Sequence, residues 1–388
     1  MKSKIISLLF CLVLLFLTAG FVFDFGYLFH GIRCTYLRGE TSAQIDDGTL
    51  FYSSLVSNKK SIKTPRSSSY NNKTLNKNLS SILEKSKTVS FLIIKNDSID
   101  IERYWDIGSV NSKTNSFSMA KSIISLLVGC AIDDGFIESV EQSVCDFFQE
   151  VCNGGGEGLK IKHLLQMTSG MDWLENYKRP LSVTAKAYYG TNLKRLILDR
   201  SFVEIPGAFY EYKSGDTQLL GLVLEKATNQ NVSEYASKKL WSKIGAENNA
   251  FWSLDYKGGV EKVFCCFHSN ARDFSKIGSL LLNNGMVNGD TVISSEYIKW
   301  LISPVEIEDK KGNTINYYRN SWWYANIDDK DIYYARGFLG QYIVTIPELN
   351  LVFVRLGKKE KNNSLENNNY DMSKDLELLI KEIIKQYS

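Results

Sequence analysis

The chain has 388 residues, with 46 Lys and Arg against 43 Asp and Glu and a formal net charge of +3 at pH 7. That balance leaves no basic face for nucleic acid, and 44% hydrophobic residues suffice for one large domain or two closely joined ones. The three histidines, His30, His163 and His268, show no zinc-ligand spacing, which argues against a metal hydrolase and leaves few bases for a Ser-His-Asp triad.

Lys2 and Lys4 precede an uncharged apolar run over residues 5–23. At ~1.5 Å per residue such a run nearly spans the ~30 Å core of a bilayer. Residues 1–27 are therefore read as a membrane anchor or a signal segment. The anchor is preferred because no clear cleavage site follows Thr18-Ala19-Gly20. Lys2 and Lys4 orient the N-terminus inward and place the body on the exported side, while cleavage would make it secreted.

Residues 28–88 read as a polar linker or surface excursion, basic over 57–88, with a short helix over 75–85. Residues 89–388 form the main domain. Two β-rich runs, 89–95 and 98–105, flank Asn96-Asp97 and predict a hairpin. Ser116-Phe117-Ser118-Met119-Ala120-Lys121 then opens an almost wholly apolar helix that Gly135 stops in a left-handed cap.

The pattern stays mainly helical to about residue 303. Asp216 is predicted to cap a helix running through Leu224, and another helix begins at Asp273 and ends at Asn283-Asn284-Gly285. Strands return over 321–325, 332–336, 341–346 and 351–356, with a turn at Pro347-Glu348-Leu349-Asn350. Residues 371–387 have helical spacing. The fold class is α+β: one antiparallel sheet built from both ends of the chain, a terminal helix on it, and an inserted helical lobe over about 118–303. The cleft between sheet and lobe is the natural site. Of seven cysteines, Cys11 and Cys130 read as packing residues. Cys145 and Cys152 are able to pair in an exported chain.

Ser118 and Lys121 lie three apart, so on a helix they share one face. Ser118 falls at the first turn, where backbone N–H groups are unpaired. A serine hydroxyl needs a base to become a nucleophile, and a buried neutral lysine can serve. The alternative reading makes Ser118 a helix cap and Lys121 a solvated lysine.

Three further stretches accompany the S-x-x-K. They are His163-Leu164-Leu165-Gln166-Met167-Thr168-Ser169-Gly170, Tyr212-Lys213-Ser214, and Ala335-Arg336-Gly337-Phe338. Together, in this order, they resemble the penicillin-recognising serine hydrolases: class C β-lactamases, D-alanyl-D-alanine carboxypeptidases, related esterases and 6-aminohexanoate-oligomer hydrolases. The resemblance covers roughly residues 90–356 and implies a β-lactamase/transpeptidase-like fold. It makes Ser118 the acylated nucleophile, Lys121 its activating partner and Tyr212 the group that passes the proton to the leaving group. The backbone N–H groups of Ser118 and Phe338 would form the oxyanion hole. Ser214, Gly337 and Arg336 would contact substrate.

No metal or cofactor is implied. The expected partners are a small ester, amide or peptide substrate and, through the N-terminal run, a membrane; no oligomeric state follows. Two departures stand out: the family's K-T-G lysine is Ala335, and the Y-x-N asparagine is Ser214. Arg336 neighbours Ala335, but adjacent strand residues face opposite ways. These changes favour small esters or amides over β-lactams. The alternatives are a D-alanyl peptidase of the penicillin-binding type and a catalytically silent sensor on the same fold.

Overall fold

The hairpin forms where the alternation places it. Strands β1 (Thr88–Lys95) and β2 (Ser98–Tyr104) meet at Asn96 and Asp97, with φ of 48° and 59°. Both central turn residues thus take the left-handed region, whose twist matches the strands and which Asn and Asp tolerate. Late in the chain come β3 (Tyr318–Arg319), β4 (Trp322–Ile327), β5 (Lys330–Gly337), β6 (Gln341–Ile346) and β7 (Leu351–Gly357). The seven strands form one antiparallel sheet in the order β2-β1-β7-β6-β5-β4-β3. The computed structural model describes Ser7 and residues 25–360 and 372–388.

Each face of the sheet has its own cover. On one side lie helix α3 (Met119–Asp133) and helix α5 (Ala271–Leu282), the latter crossing β6, β7 and β1. On the other side lie α2 (Lys77–Lys85) and the terminal helix α6 (Lys374–Tyr387), which pack on each other. Alternate strand residues divide between these layers. Leu92 and Ile343 join the core around α3, whereas Phe91, Ile93 and Val344 join the core under α6. Helix α3 is buried along almost its whole length and packs against α4 (Ser214–Thr228) and against β5.

Residues 28–88, which composition suggested were a linker or excursion, carry elements built into the fold. Helix α1 (Gly26–Cys34) packs on the helix Val183–Tyr189. Ser53–Val56 pairs with Ala250–Ser253 in a small sheet that continues through Phe267–Ser269 to Thr114–Asn115. This small sheet leads directly into Ser116-Phe117-Ser118. The expected anchor or signal run over 5–23 lies, apart from Ser7, outside the described residues. No helix among the described residues is long and apolar enough to cross a membrane.

Asp216 does not cap α4. The helix begins at Ser214, and Asp216 lies buried in its first turn, accepting from Ser169 Oγ at 2.6 Å. Burial pushes its carboxyl up to about 7. Among the described residues four cysteines are bonded in two pairs, Cys145–Cys152 and the adjacent Cys265–Cys266, the second unforeseen from spacing. Cys34 and Cys130 are buried free thiols.

Candidate active site

Ser118 stands at the N-cap of α3, but its side chain makes no capping bond. The hydroxyl accepts from Lys121 Nζ at 3.0 Å and shares a hydrogen bond with Tyr212. Lys121 is not solvated. It is 2% exposed, and its Nζ also reaches Ser214 Oγ at 3.2 Å and the Phe264 carbonyl at 2.9 Å. Burial pulls the ammonium down to about 8, while the Glu175 carboxylate works the other way. The capping-and-solvation alternative therefore fails on both residues.

The turn before Ser118 is held in an unusual shape. Phe117 takes φ 45°, a region that costs a bulky residue free energy. Asn115 Oδ1 fixes it by accepting from Phe117 N at 2.9 Å and from Cys266 N at 3.1 Å. That second bond also draws Phe264-Cys265-Cys266 alongside Lys121.

Tyr212 is buried among aromatic rings, 5.7 Å from Trp323 and 6.1 Å from Tyr318 between centroids. Burial raises its phenol well above the usual value, with Tyr318 adding and the Ser118 bond opposing. It is therefore a neutral O–H donor. The His163–Gly170 stretch sets its position. Met167 O accepts from Glu211 N at 2.9 Å, and Thr168 O accepts from Gly207 N at 2.7 Å.

Glu175 is the residue that sequence reasoning missed. It is buried and accepts from Ser214 N at 2.7 Å, Ser214 Oγ at 2.8 Å and Trp173 Nε1 at 2.7 Å. Its carboxylate thus occupies the N-terminus of α4, satisfying a helix donor and meeting the positive end of the dipole. It also aims the Ser214 hydroxyl, whose oxygen faces Lys121.

At the sheet edge β5 closes on the Ser118 turn. A Cβ on Gly337 would lie 2.2 Å from the Ser116 carbonyl, so only glycine lets the two backbones approach this closely. Phe338 follows, its ring edge-on to Phe117 at 5.4 Å. Neither the Ser118 nor the Phe338 N–H has a backbone acceptor among the described residues. Arg336, expected as a substrate contact, is buried beside Tyr212: its charge bears on the phenol, and its guanidinium lies 5.6 Å from the Trp323 ring. It is 1% exposed and pairs with Glu360 at 3.3 Å. Strand alternation places it with Tyr342 on the α6 side, while Ala335 faces α3.

A cavity of about 630 Å³ opens beside Ser118, with Ser214 and Phe338 among its lining. No histidine lines it, and His268 is held at about 3 by burial. Among the described residues no group of three or more His, Cys, Asp and Glu stands ready to hold a metal ion.

A sheet made from both chain ends, a helical lobe, and a Ser-Lys-Tyr cluster at their junction define the β-lactamase/transpeptidase-like fold. Residues 75–375 match the Beta-lactamase family model, and the chain belongs to that family of hydrolases. The 6-aminohexanoate-dimer hydrolase of Paenarthrobacter ureafaciens is 24% identical over 293 residues, covering 71% of this chain and 73% of that protein. A Bacillus anthracis protein assigned as a 6-aminohexanoate-dimer hydrolase superposes with a TM-score of 0.73 at 20% identity, covering 87% of this chain and 90% of that one. A family VIII carboxylesterase does so at 0.64 and 15% identity, covering 83% and 99%. At these identities the structural likenesses establish the fold.

Proposed function

We propose that the protein is a serine hydrolase that cleaves a small ester or amide through an acyl-enzyme on Ser118. The observation that carries this reading is the buried Lys121 amine 3.0 Å from Ser118 Oγ, with its ammonium destabilised to about 8. Neutral Lys121 takes the hydroxyl proton as Ser118 Oγ bonds to the substrate carbonyl carbon. The oxyanion that forms meets the N–H groups of Ser118 and Phe338, donors of a kind typically worth ~3–4 kcal/mol each. Collapse expels the alcohol or amine, which takes its proton from Tyr212, and Tyr212 is replenished from Lys121. Water then attacks the acyl carbonyl by the reverse proton route and frees Ser118.

Ala335 and Arg336 favour esters and amides over β-lactams. Ala335 carries no charge, and Arg336 is committed to Glu360. A charge-assisted contact to a β-lactam carboxylate is worth roughly 1.5–3 kcal/mol, and this cleft lacks one on that strand. The two disulfides suit an oxidising compartment. With the apolar run over 5–23 they support an exported, membrane-tethered protein.

The test is covalent labelling. A fluorophosphonate should add once to the protein, on the peptide holding Ser118, and not to Ser118→Ala; an adduct that persists in the variant would defeat the assignment. The same preparation should turn over a p-nitrophenyl ester with higher kcat/KM than a chromogenic cephalosporin.

A further inference from the structure

The segment Phe264-Cys265-Cys266-Phe267 touches the catalytic turn at both ends. The Phe264 carbonyl accepts from Lys121 Nζ at 2.9 Å. Cys266 N donates at 3.1 Å to Asn115 Oδ1, the oxygen that also holds Phe117 N. The Phe267 carbonyl accepts from Ser116 N at 2.8 Å. In the middle of this segment the two cysteines are bonded to each other. A bond between neighbours closes a small ring through the peptide that links them, so neither residue turns without the other. Cys266 takes φ 65°, a left-handed backbone that such a side chain seldom adopts, and in that conformation its N–H meets Asn115. Behind the ring, Trp252 Nε1 donates to the Cys265 carbonyl at 2.8 Å and Ser253 N to the Cys266 carbonyl at 3.0 Å. These bonds keep the segment in the fold whatever the state of the sulfurs.

Both cysteines are buried, yet Phe264 and Cys265 line the cavity beside Ser118. Resting on the serine-hydrolase reading above, we propose that the Cys265–Cys266 bond is a positioning group, holding the Phe264 carbonyl on Lys121 and Asn115 on the turn before Ser118, and that its reduction disarms the site. A small dithiol enters by the cavity. The S–S bond breaks, each cysteine sulfur gains a hydrogen from the dithiol, and the dithiol leaves as a cyclic disulfide. Cys266 is then free to leave the left-handed region, and the hydrogen bonds on either side of it loosen.

The test uses the full chain carrying Cys145→Ser with Cys152→Ser, which removes the other disulfide. Dithiothreitol, removed before assay, should lower kcat on a p-nitrophenyl ester by about tenfold or more with KM nearly unchanged, as expected when catalytic groups are misplaced. Reoxidation should restore it. Lys121 loses an acceptor that favours its ammonium, while Glu175 and the Tyr212 ring 5.0 Å away still face it, so the midpoint of the pH profile should fall below about 8. Cys265→Ala with Cys266→Ala should reproduce the loss without reductant and show no further loss with it. Unchanged kcat and midpoint in protein shown to have gained two thiols would overturn the positioning role. So would a loss that only accompanies unfolding, read by near-ultraviolet circular dichroism. In both cases fluorophosphonate labelling of Ser118 in the oxidised enzyme leaves the hydrolase standing; absence of that labelling would bring down both.

Discussion

Lys121 sits where a charge is costly, and the pH profile should show it. With burial pulling its ammonium down to about 8, the proposed mechanism needs the neutral amine that prevails above that value to accept the Ser118 proton. The kcat/KM for a non-titrating ester should thus rise with pH, reach half its plateau near 8, and level off. Glu175 raises the Lys121 value, so Glu175→Gln should move that midpoint down by about one unit. A merely structural Glu175 would change the amplitude and leave the midpoint where it was. The clustering of Ser118, Lys121, Tyr212 and Ser214 was legible because each lies in a short motif with characteristic spacing. Glu175 lies in a connecting segment with no periodicity, and only tertiary folding brings it to the start of α4. The pairing of Arg336 with Glu360 was not legible, because Glu360 lies on a polar stretch beyond the last strand and only the fold brings the two together.

The elements were legible to the degree that their patterns were local. The β1-β2 hairpin, α3, α5, the late strands and α6 emerge close to their expected bounds, because turn residues and periodicity mark both ends of each. Ser53–Val56 escaped notice since its partner, Ala250–Ser253, lies about two hundred residues on and its own stretch is serine-rich. Helix α1 escaped because the apolar run ahead of it masked its start. The contact between β5 and the Ser118 turn allows a direct test. In Gly337→Ala the new methyl would meet the Ser116 carbonyl at 2.2 Å, backbone against backbone, so the turn or the strand must shift. A crowded substitution of this sort costs ~1–3 kcal/mol. A lower Tm together with at least a tenfold loss in kcat/KM is expected; unchanged activity would mean that the two backbones have room to separate without harm to the site.

At the scale of the whole molecule, the Cys145–Cys152 bond closes a short loop over the helical turn Gln149–Val151, within the lobe and away from the site. Closing a loop of that length constrains the unfolded chain by roughly 2–3 kcal/mol. Cys145→Ser should therefore lower the unfolding midpoint in urea while kcat/KM on a short ester stays near that of the parent; equal midpoints with and without reductant would show that the bond contributes nothing.

The strand order has a consequence for how the chain is made. Strand β1, near residue 90, is flanked by β2 and by β7, the last strand of the sheet. During synthesis the hairpin must wait, one edge open, while more than two hundred and fifty residues follow it. Its closure is a contact of very high sequence separation, the kind that slows folding and exposes an unpaired edge to other chains. The catalytic junction, which depends on β5 reaching the Ser118 turn, is assembled equally late. A nascent chain stalled before Leu351 would carry Ser118 and Lys121 yet lack β7, the strand that joins the hairpin to the rest of the sheet, so the junction around Ser118 would stay incomplete until that strand emerges.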